Sequence, residues 1–356
     1  MKFQVELDLD HDLETIKNYI KEGKIDIKDH LSKLSQSRDM VEFLLSLDDF
    51  DVNLQNQRGD TSLLIASYQG RKDIIELLLA TGHCDVNLQN QDKVTALMIA
   101  SQNNDNKDII ELLLATGQCN VNIQDKDGIT ALMIASQQGH KDIVELLLAT
   151  GQCNVNLQTT EGKETALMAA ANHGHIDTVD LLLATGHCNV NLQNKNGITA
   201  LMLASSKNYK DTVELLLATE KCNINLQHQN GNTALMLASN KGHRDIVEIL
   251  LATGKCNVNV QKKGGDNALI LAAHEGHTDI VELLLATGKC NVNAQNHFKE
   301  TALVYAICHD HKDIVELLLA TGKCNLKLKY KENYTALKIA SEKSHKEIME
   351  LLKKYI

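Results

Sequence analysis

From Thr61 onward the apolar and polar positions follow one repeating pattern. Each copy reads threonine, A-L-M-x-A-S, a short polar break, K-D-I-V-E-L-L-L-A, and then a T-G-x-C-N-V-N exit. The threonine, or its stand-in, falls at Thr61, Thr95, Thr130, Thr165, Thr199, Thr233, Asn267, Thr301 and Thr335, in steps of 34, 35, 35, 34, 34, 34, 34 and 34 residues. A fixed period in this range predicts stacked supersecondary units, not a single closed core. In the copy from Gly128 to Asn156, Thr130 is placed to cap the first free N–H groups of a helix. Leu132, Ile134 and Ala135 then face a neighbour, and Gly139 ends the helix as a left-handed residue. Asp142 opens a second helix, where its charge complements the positive end of the dipole. Ile143, Val144, Leu146, Leu147 and Leu148 form an almost all-round apolar run, which predicts burial on both sides. Gly151 terminates that helix, and C-N-V-N-L-Q leads into an extended segment and a turn.

The ends depart from the pattern. Stepping back one period from Thr61 lands on Ile27, and R-D-M-V-E-F-L-L-S at 38–46 matches the second-helix signature. Leu13, Ile16, Tyr19 and Ile20 have helical spacing, so residues 1–26 are expected to form an N-terminal capping helix. At the other end, Ser341–Ile356 exchanges apolar positions for charges, the polar outer face that a terminal repeat needs. One domain of about ten repeats is therefore expected over 27–356, the first degenerate and the last a cap. Two repeats carry one extra residue, within Asn103–Asn106 and within Thr159–Glu164. Unequal loops tend to sit on a binding side, although drift produces them too.

Composition narrows the function. The net charge of −10 argues against non-specific nucleic-acid binding. It is unevenly placed: residues 1–50 hold twelve acidic and seven basic residues, whereas 325–356 hold eight lysines and four glutamates. No apolar run approaches the about 18 residues of a membrane span. The opening M-K-F-Q-V-E-L-D-L-D-H-D lacks the apolar stretch of a secretory signal, so a cytoplasmic protein is expected. Eight of the nine cysteines recur once per repeat, from Cys84 to Cys324, and Cys308 is out of phase. Equivalent positions in neighbouring repeats lie about 8–10 Å apart, too far for a ladder of disulfides, and no C-x-x-C occurs. The thiols read as small buried apolar groups. Histidines recur at the inter-helix turn (His140, His175, His243, His277, His311, His345), as do aspartates at the second-helix start; both read as structural. No nucleophile-elbow, phosphate-loop or dinucleotide signature is present, so neither an enzyme nor a cofactor or metal is expected. The asparagine row from Asn53 to Asn293 is expected to bridge backbone groups of adjacent exits.

The stretch G-I-T-A-L-M-I-A-S-Q-Q-G-H-K-D-I-V-E-L-L-L, Gly128–Leu148, with its T-G-x-C-N-V-N exit, resembles the ankyrin repeat. Two departures stand out: alanine replaces the usual helix-opening proline, and Met98, Met133, Met168, Met202 and Met236 replace the usual histidine. The resemblance implies an all-α repeat solenoid of stacked helix-turn-helix units with β-hairpin fingers. It also implies a concave groove lined by finger tips and first-helix ends. Carried over by position, the fingers supply Arg58 and Phe298, with Asp60, Asp92 and Glu332 beside them; the helix ends supply Tyr68, Gln69, Gln102, Gln137, His173, Lys207, Lys241, His274 and His309. Tyr209, Tyr305, Tyr330 and Tyr334 are expected to be exposed aromatics, and Tyr330 joins the partner-binding set. Lys327, Lys329 and Lys331 either extend that surface or guard a terminal finger edge. The implied function is a non-enzymatic, monomeric scaffold for a protein or peptide partner, with no nucleic acid or membrane. Occlusion of an enzyme and a purely structural array are the alternatives.

Overall fold

The computed structural model describes residues 13–330 and 334–356. Lys331 and Glu332, like the opening twelve residues, lie outside them. Contacts cluster into two compact units, 1–188 and 189–356, and helices dominate both.

In the first unit, α1 (Leu13–Lys21) covers the degenerate repeat α2 (Ile27–Leu34) and α3 (Arg38–Leu45). Ile20, Ile25, Leu34, Met40 and Leu44 close its core, with Leu13, Ile16 and Tyr19 packed against them. Asp26, not Ile27, is the cap of α2, its carboxylate accepting from the Lys28 N–H. Four regular repeats follow: α4 (Ser62–Tyr68) and α5 (Lys72–Ala80), α6 (Ala96–Ala100) and α7 (Lys107–Ala115), α8 (Ala131–Gln138) and α9 (Lys141–Ala149), α10 (Ala166–His173) and α11 (Ile176–Ala184). First helices pack on first helices and second on second. The extra residue between α6 and α7 shortens α6 and is absorbed by a 3-10 turn at Asn104–Asn106.

The second unit repeats this arrangement: α12 (Ala200–Lys207) and α13 (Lys210–Ala218), α14 (Ala234–Lys241) and α15 (Arg244–Ala252), α16 (Ala268–Glu275) and α17 (Thr278–Ala286), α18 (Ala302–Cys308) and α19 (Lys312–Ala320), α20 (Ala336–Glu342) and α21 (Lys346–Lys353).

The local chemistry follows the sequence closely. The hydroxyls of Thr61, Thr95, Thr130, Thr165, Thr199, Thr233 and Thr301 accept from the N–H three residues on, and the Asn267 side chain does the same. Thr335 makes no such bond. Gly139 closes α8 at φ 74°, and Asn208 closes α12 at φ 63°. The run in α9 is less buried than its composition suggests: Ile143, Val144 and Leu147 are fully buried, but Leu146 and Leu148 are only half-buried. One face of the second helix meets the first helices and the neighbouring second helices, and the rest borders solvent.

Two side-chain ladders tie repeats together. In the second unit the Asn259 amide donates to the Lys289 carbonyl at 2.8 Å and accepts from the Asn291 N–H at 2.8 Å. Asn191, Asn225 and Asn293 do the same there, and Asn53, Asn87 and Asn122 in the first unit. A glutamine ladder, not anticipated from sequence, lies at the finger root. Gln124 donates to the carbonyls of Gly128 and Gln158, and Gln227 to those of Gly231 and Gln261. Replacing Asn259 by Ala removes two bonds that solvent partly replaces, so the expected cost is about 1 kcal/mol in urea unfolding; unchanged stability would show the ladder to be idle.

The fingers that the resemblance implied as β-hairpins are not shown as paired strands. Each has its own turn, such as Asn56 N–H to Asp60 carbonyl at 3.0 Å, and one bond to the next finger, Gln91 N–H to Arg58 carbonyl at 3.0 Å. Among the described residues this gives no strand, only the isolated bridge between Tyr330 and Tyr334. One backbone bond per finger pair is too few to extend a ladder.

Candidate functional site

The periodic histidines cover the ends of the first helices, where carbonyls lack helical partners. His140 hydrogen-bonds the Ser101 carbonyl at 3.1 Å and His175 that of Gln137 at 3.0 Å. His243, His277 and His311 reach the carbonyls of Ser206, Asn240 and His274. Among the aspartates at the second-helix starts, Asp108, Asp142 and Asp177 take lysines from the preceding repeat, as in Lys72–Asp108 at 2.8 Å, and Asp279 takes Arg244. These exposed pairs contribute little each. None of the described cysteines is in a disulfide, and burial pushes the eight periodic thiols up to about 11. Four of them, Cys153, Cys256, Cys290 and Cys324, donate to a leucine carbonyl six residues back. Such thiols are poor nucleophiles. Among the described residues no group of three or more His, Cys, Asp or Glu is disposed to hold a metal ion.

What remains is surface. In the first unit, Arg58, Tyr68 and Gln102 surround one cavity of about 660 Å³, together with Asp60, Gln69 and Asp92. Its floor is apolar, made by Leu64, Ile65, Val94 and Ile99. Tyr68 is 78% exposed, which no packing requirement explains. Arg58 has an ordered backbone, its N–H donating to the Asn56 side chain and its carbonyl accepting from Gln91, while the guanidinium side is exposed. Gln137 and His173 are exposed but do not line this cavity; His173 stacks on His175 with centroids 5.9 Å apart.

In the second unit, His274, Tyr305 and His309 come together, with His274 4.9 Å from Tyr305 and 4.8 Å from His309 between ring centroids. His274 also pairs with Glu275 at 2.8 Å. Phe298 is 60% exposed at a finger tip. Lys207 and Lys241 lie at first-helix ends, and the Lys241 ammonium donates to the Ser206 carbonyl at 2.9 Å.

The expectation that Tyr209, Tyr305, Tyr330 and Tyr334 are exposed is corrected: all four are half-buried. The hydroxyls of Tyr305 and Tyr330 donate to Glu300, Tyr330 at 2.8 Å. Glu300 is 8% exposed and also accepts from Asn296, whose amide donates to Asp266 as well. Burial and then the bond to Glu300 push Tyr330 up to about 12, and Tyr305 is raised further for the same reasons. Sequence reasoning missed Asn296 and Glu300 in this network. Glu300 carried no signal of its own, because the same position holds Asp60, Glu164 and Asp266 as well as Val94, Ile129 and Ile198 in other repeats. Lys327 and Lys329 are exposed beside an open cavity of about 760 Å³ that Leu326, Leu337, Tyr355 and Ile356 also line.

Compared with known families, the chain matches the model described as ankyrin repeats (3 copies) over residues 30–125, 63–159, 97–194, 151–228, 208–296 and 285–356. No curated protein matches the chain.

Proposed function

The chain belongs to the ankyrin repeat family, whose members are in general protein-interaction modules, and we propose that it is a non-enzymatic scaffold binding a partner protein or peptide through its finger tips and first-helix ends. The observation that carries this reading is Tyr68, 78% exposed above an apolar-floored cavity that Arg58 and Gln102 rim. Tyrosine and arginine beside a desolvatable pocket are the usual energetic anchors of interfaces. The cavity is built from ordered backbone, so little ordering entropy opposes binding. Gln137 and His173 extend the same surface in the first unit; Lys207, Lys241, His274, Phe298 and His309 form its counterpart in the second. Tyr330 supports that counterpart from below through Glu300. The proposal includes one repeat domain over 27–356 acting as a cytoplasmic monomer without cofactor. The charge of −10 weighs against nucleic acid, and among the described residues no helix is long and apolar enough to cross a membrane.

The test is a pull-down from the native cell with the wild-type chain and with Tyr68→Ala and Phe298→Ala combined. A partner held through these anchors is expected to lose about 30-fold or more in affinity, the scale of a hot-spot residue. If every captured partner survives the double substitution, the assignment of the surface is wrong.

A further inference from the structure

The exit loops of the second unit carry a feature separate from the finger and first-helix surface. The residue before each periodic cysteine is Lys221, Lys255, Lys289 and Lys323. The same position in the first unit holds His83, Gln118, Gln152 and His187. All four lysines are exposed, and among the described residues no ion pair involves Lys255, Lys289 or Lys323.

Their register is built into the fold. The backbone carbonyl of each lysine accepts from the asparagine of the preceding repeat: Asn191 to Lys221 at 2.8 Å, Asn225 to Lys255 at 3.0 Å, Asn259 to Lys289 at 2.8 Å and Asn293 to Lys323 at 2.8 Å. The asparagine ladder thus holds one ammonium-bearing residue per repeat, at the about 8–10 Å spacing of packed helices. A cation near a helix C-terminus is favoured by the dipole. That does not account for the row, because Gln118 and Gln152 accept the same asparagine bonds without a charge.

We propose that Lys221, Lys255, Lys289 and Lys323 form a second docking surface, for an acidic polypeptide segment in the extended polyproline II conformation with a carboxylate at every third residue. Polyproline II has three residues per turn, so every third side chain lies on one face about 9 Å from the next, and successive carboxylates meet successive lysines. The surroundings select a narrow partner. Exposed carboxylates line the same second helices, Asp211, Asp245, Asp279 and Asp313 at the opposite end and Glu214, Glu248, Glu282 and Glu316 about one turn nearer, which leaves a strip about 10 Å wide beside the lysines. A membrane surface or a nucleic-acid duplex is wider than that and meets these carboxylates as well; a single extended chain need not. In a chain of net charge −10 the lysine row is a local exception.

The test uses the full chain and a labelled synthetic peptide with four glutamates at every third position, read by fluorescence anisotropy. Wild type is expected to bind, and K221Q/K255Q/K289Q/K323Q to lose about tenfold or more, since each exposed pair contributes a small share. Binding is also expected to weaken steeply from about 0.01 M to about 1 M salt, as the screening length falls from about 30 to about 3 Å. The glutamine version of the peptide should not bind, while Tyr68→Ala with Phe298→Ala should leave binding unchanged. The quadruple variant should melt as wild type does, because glutamine already serves at Gln118 and Gln152. Absence of binding to wild type, or equal binding to the quadruple variant, overturns the proposal. Tighter binding of anionic vesicles or a DNA duplex with the same lysine dependence overturns the polypeptide assignment.

Discussion

Raising the pH from about 9 to about 11 is expected to unfold the protein, and the eight periodic thiols supply the cause. Each has an ordinary value of 9.0 that burial raises to about 11. The unfolded chain therefore releases these protons near pH 9 while the folded chain still holds them. The contribution is complete below pH 9, falls as the pH rises, and is gone once the pH passes about 11. A two-unit shift corresponds to about 2.7 kcal/mol, and partial exposure reduces the useful figure to about 1–2 kcal/mol per thiol. Summed over eight sites this is comparable with the about 5–15 kcal/mol that stabilises an ordinary domain. Helical circular dichroism against pH at constant ionic strength measures it. The comparison protein is Cys222→Ala/Cys256→Ala/Cys290→Ala, whose midpoint should move to higher pH. Lysine deprotonation is common to both proteins and drops out. Coincident midpoints would remove the thiols from the explanation.

The cysteine row was legible because it is periodic, and so were the helices, the threonine caps and the asparagine bridges. Each depends on a residue and its neighbour one period away, and a single repeat displays both. The glutamine ladder has the same logic, but Gln124 and Gln227 sit in a stretch whose local pattern suggests only an exit. The left-handed finger position was less legible: Gly59 and Gly128 hold it at φ 78°, yet Lys93 and Lys299 hold it at 60° and 63°. There the finger tolerates a side chain at a left-handed position that glycine fills in other repeats. The Glu300 network lay furthest from view. It joins Asn296, Tyr305 and Tyr330, residues in two repeats whose side chains meet only after stacking. For the same reason sequence showed where Tyr68 and Phe298 stand but not that they alone among the candidate aromatics stay largely exposed.

The second large effect concerns the leucines of the second helix, where composition and geometry disagree. In α17, Leu284 is fully buried, whereas Leu283 and Leu285 are half-buried. Leu284→Ala is expected to cost about 2–5 kcal/mol, the range for a leucine removed from a site that relaxes only in part. Leu285→Ala should cost about 1 kcal/mol or less, because part of its surface already faces water. Chemically the substitutions are identical and they fall one position apart, so propensity and denatured-state effects nearly cancel. Urea unfolding gives both values from the shift in midpoint at constant slope. Because α17 packs on α15 and α19, a defect at Leu284 weakens two repeat interfaces at once. Stability along a repeat array is a sum of repeat and interface contributions, so a loss this size can separate the unfolding of the flanking repeats. A lower slope or a second transition in Leu284→Ala, absent in Leu285→Ala, is the expected signature. Equal losses at the two positions would mean that the apolar run is buried all round after all.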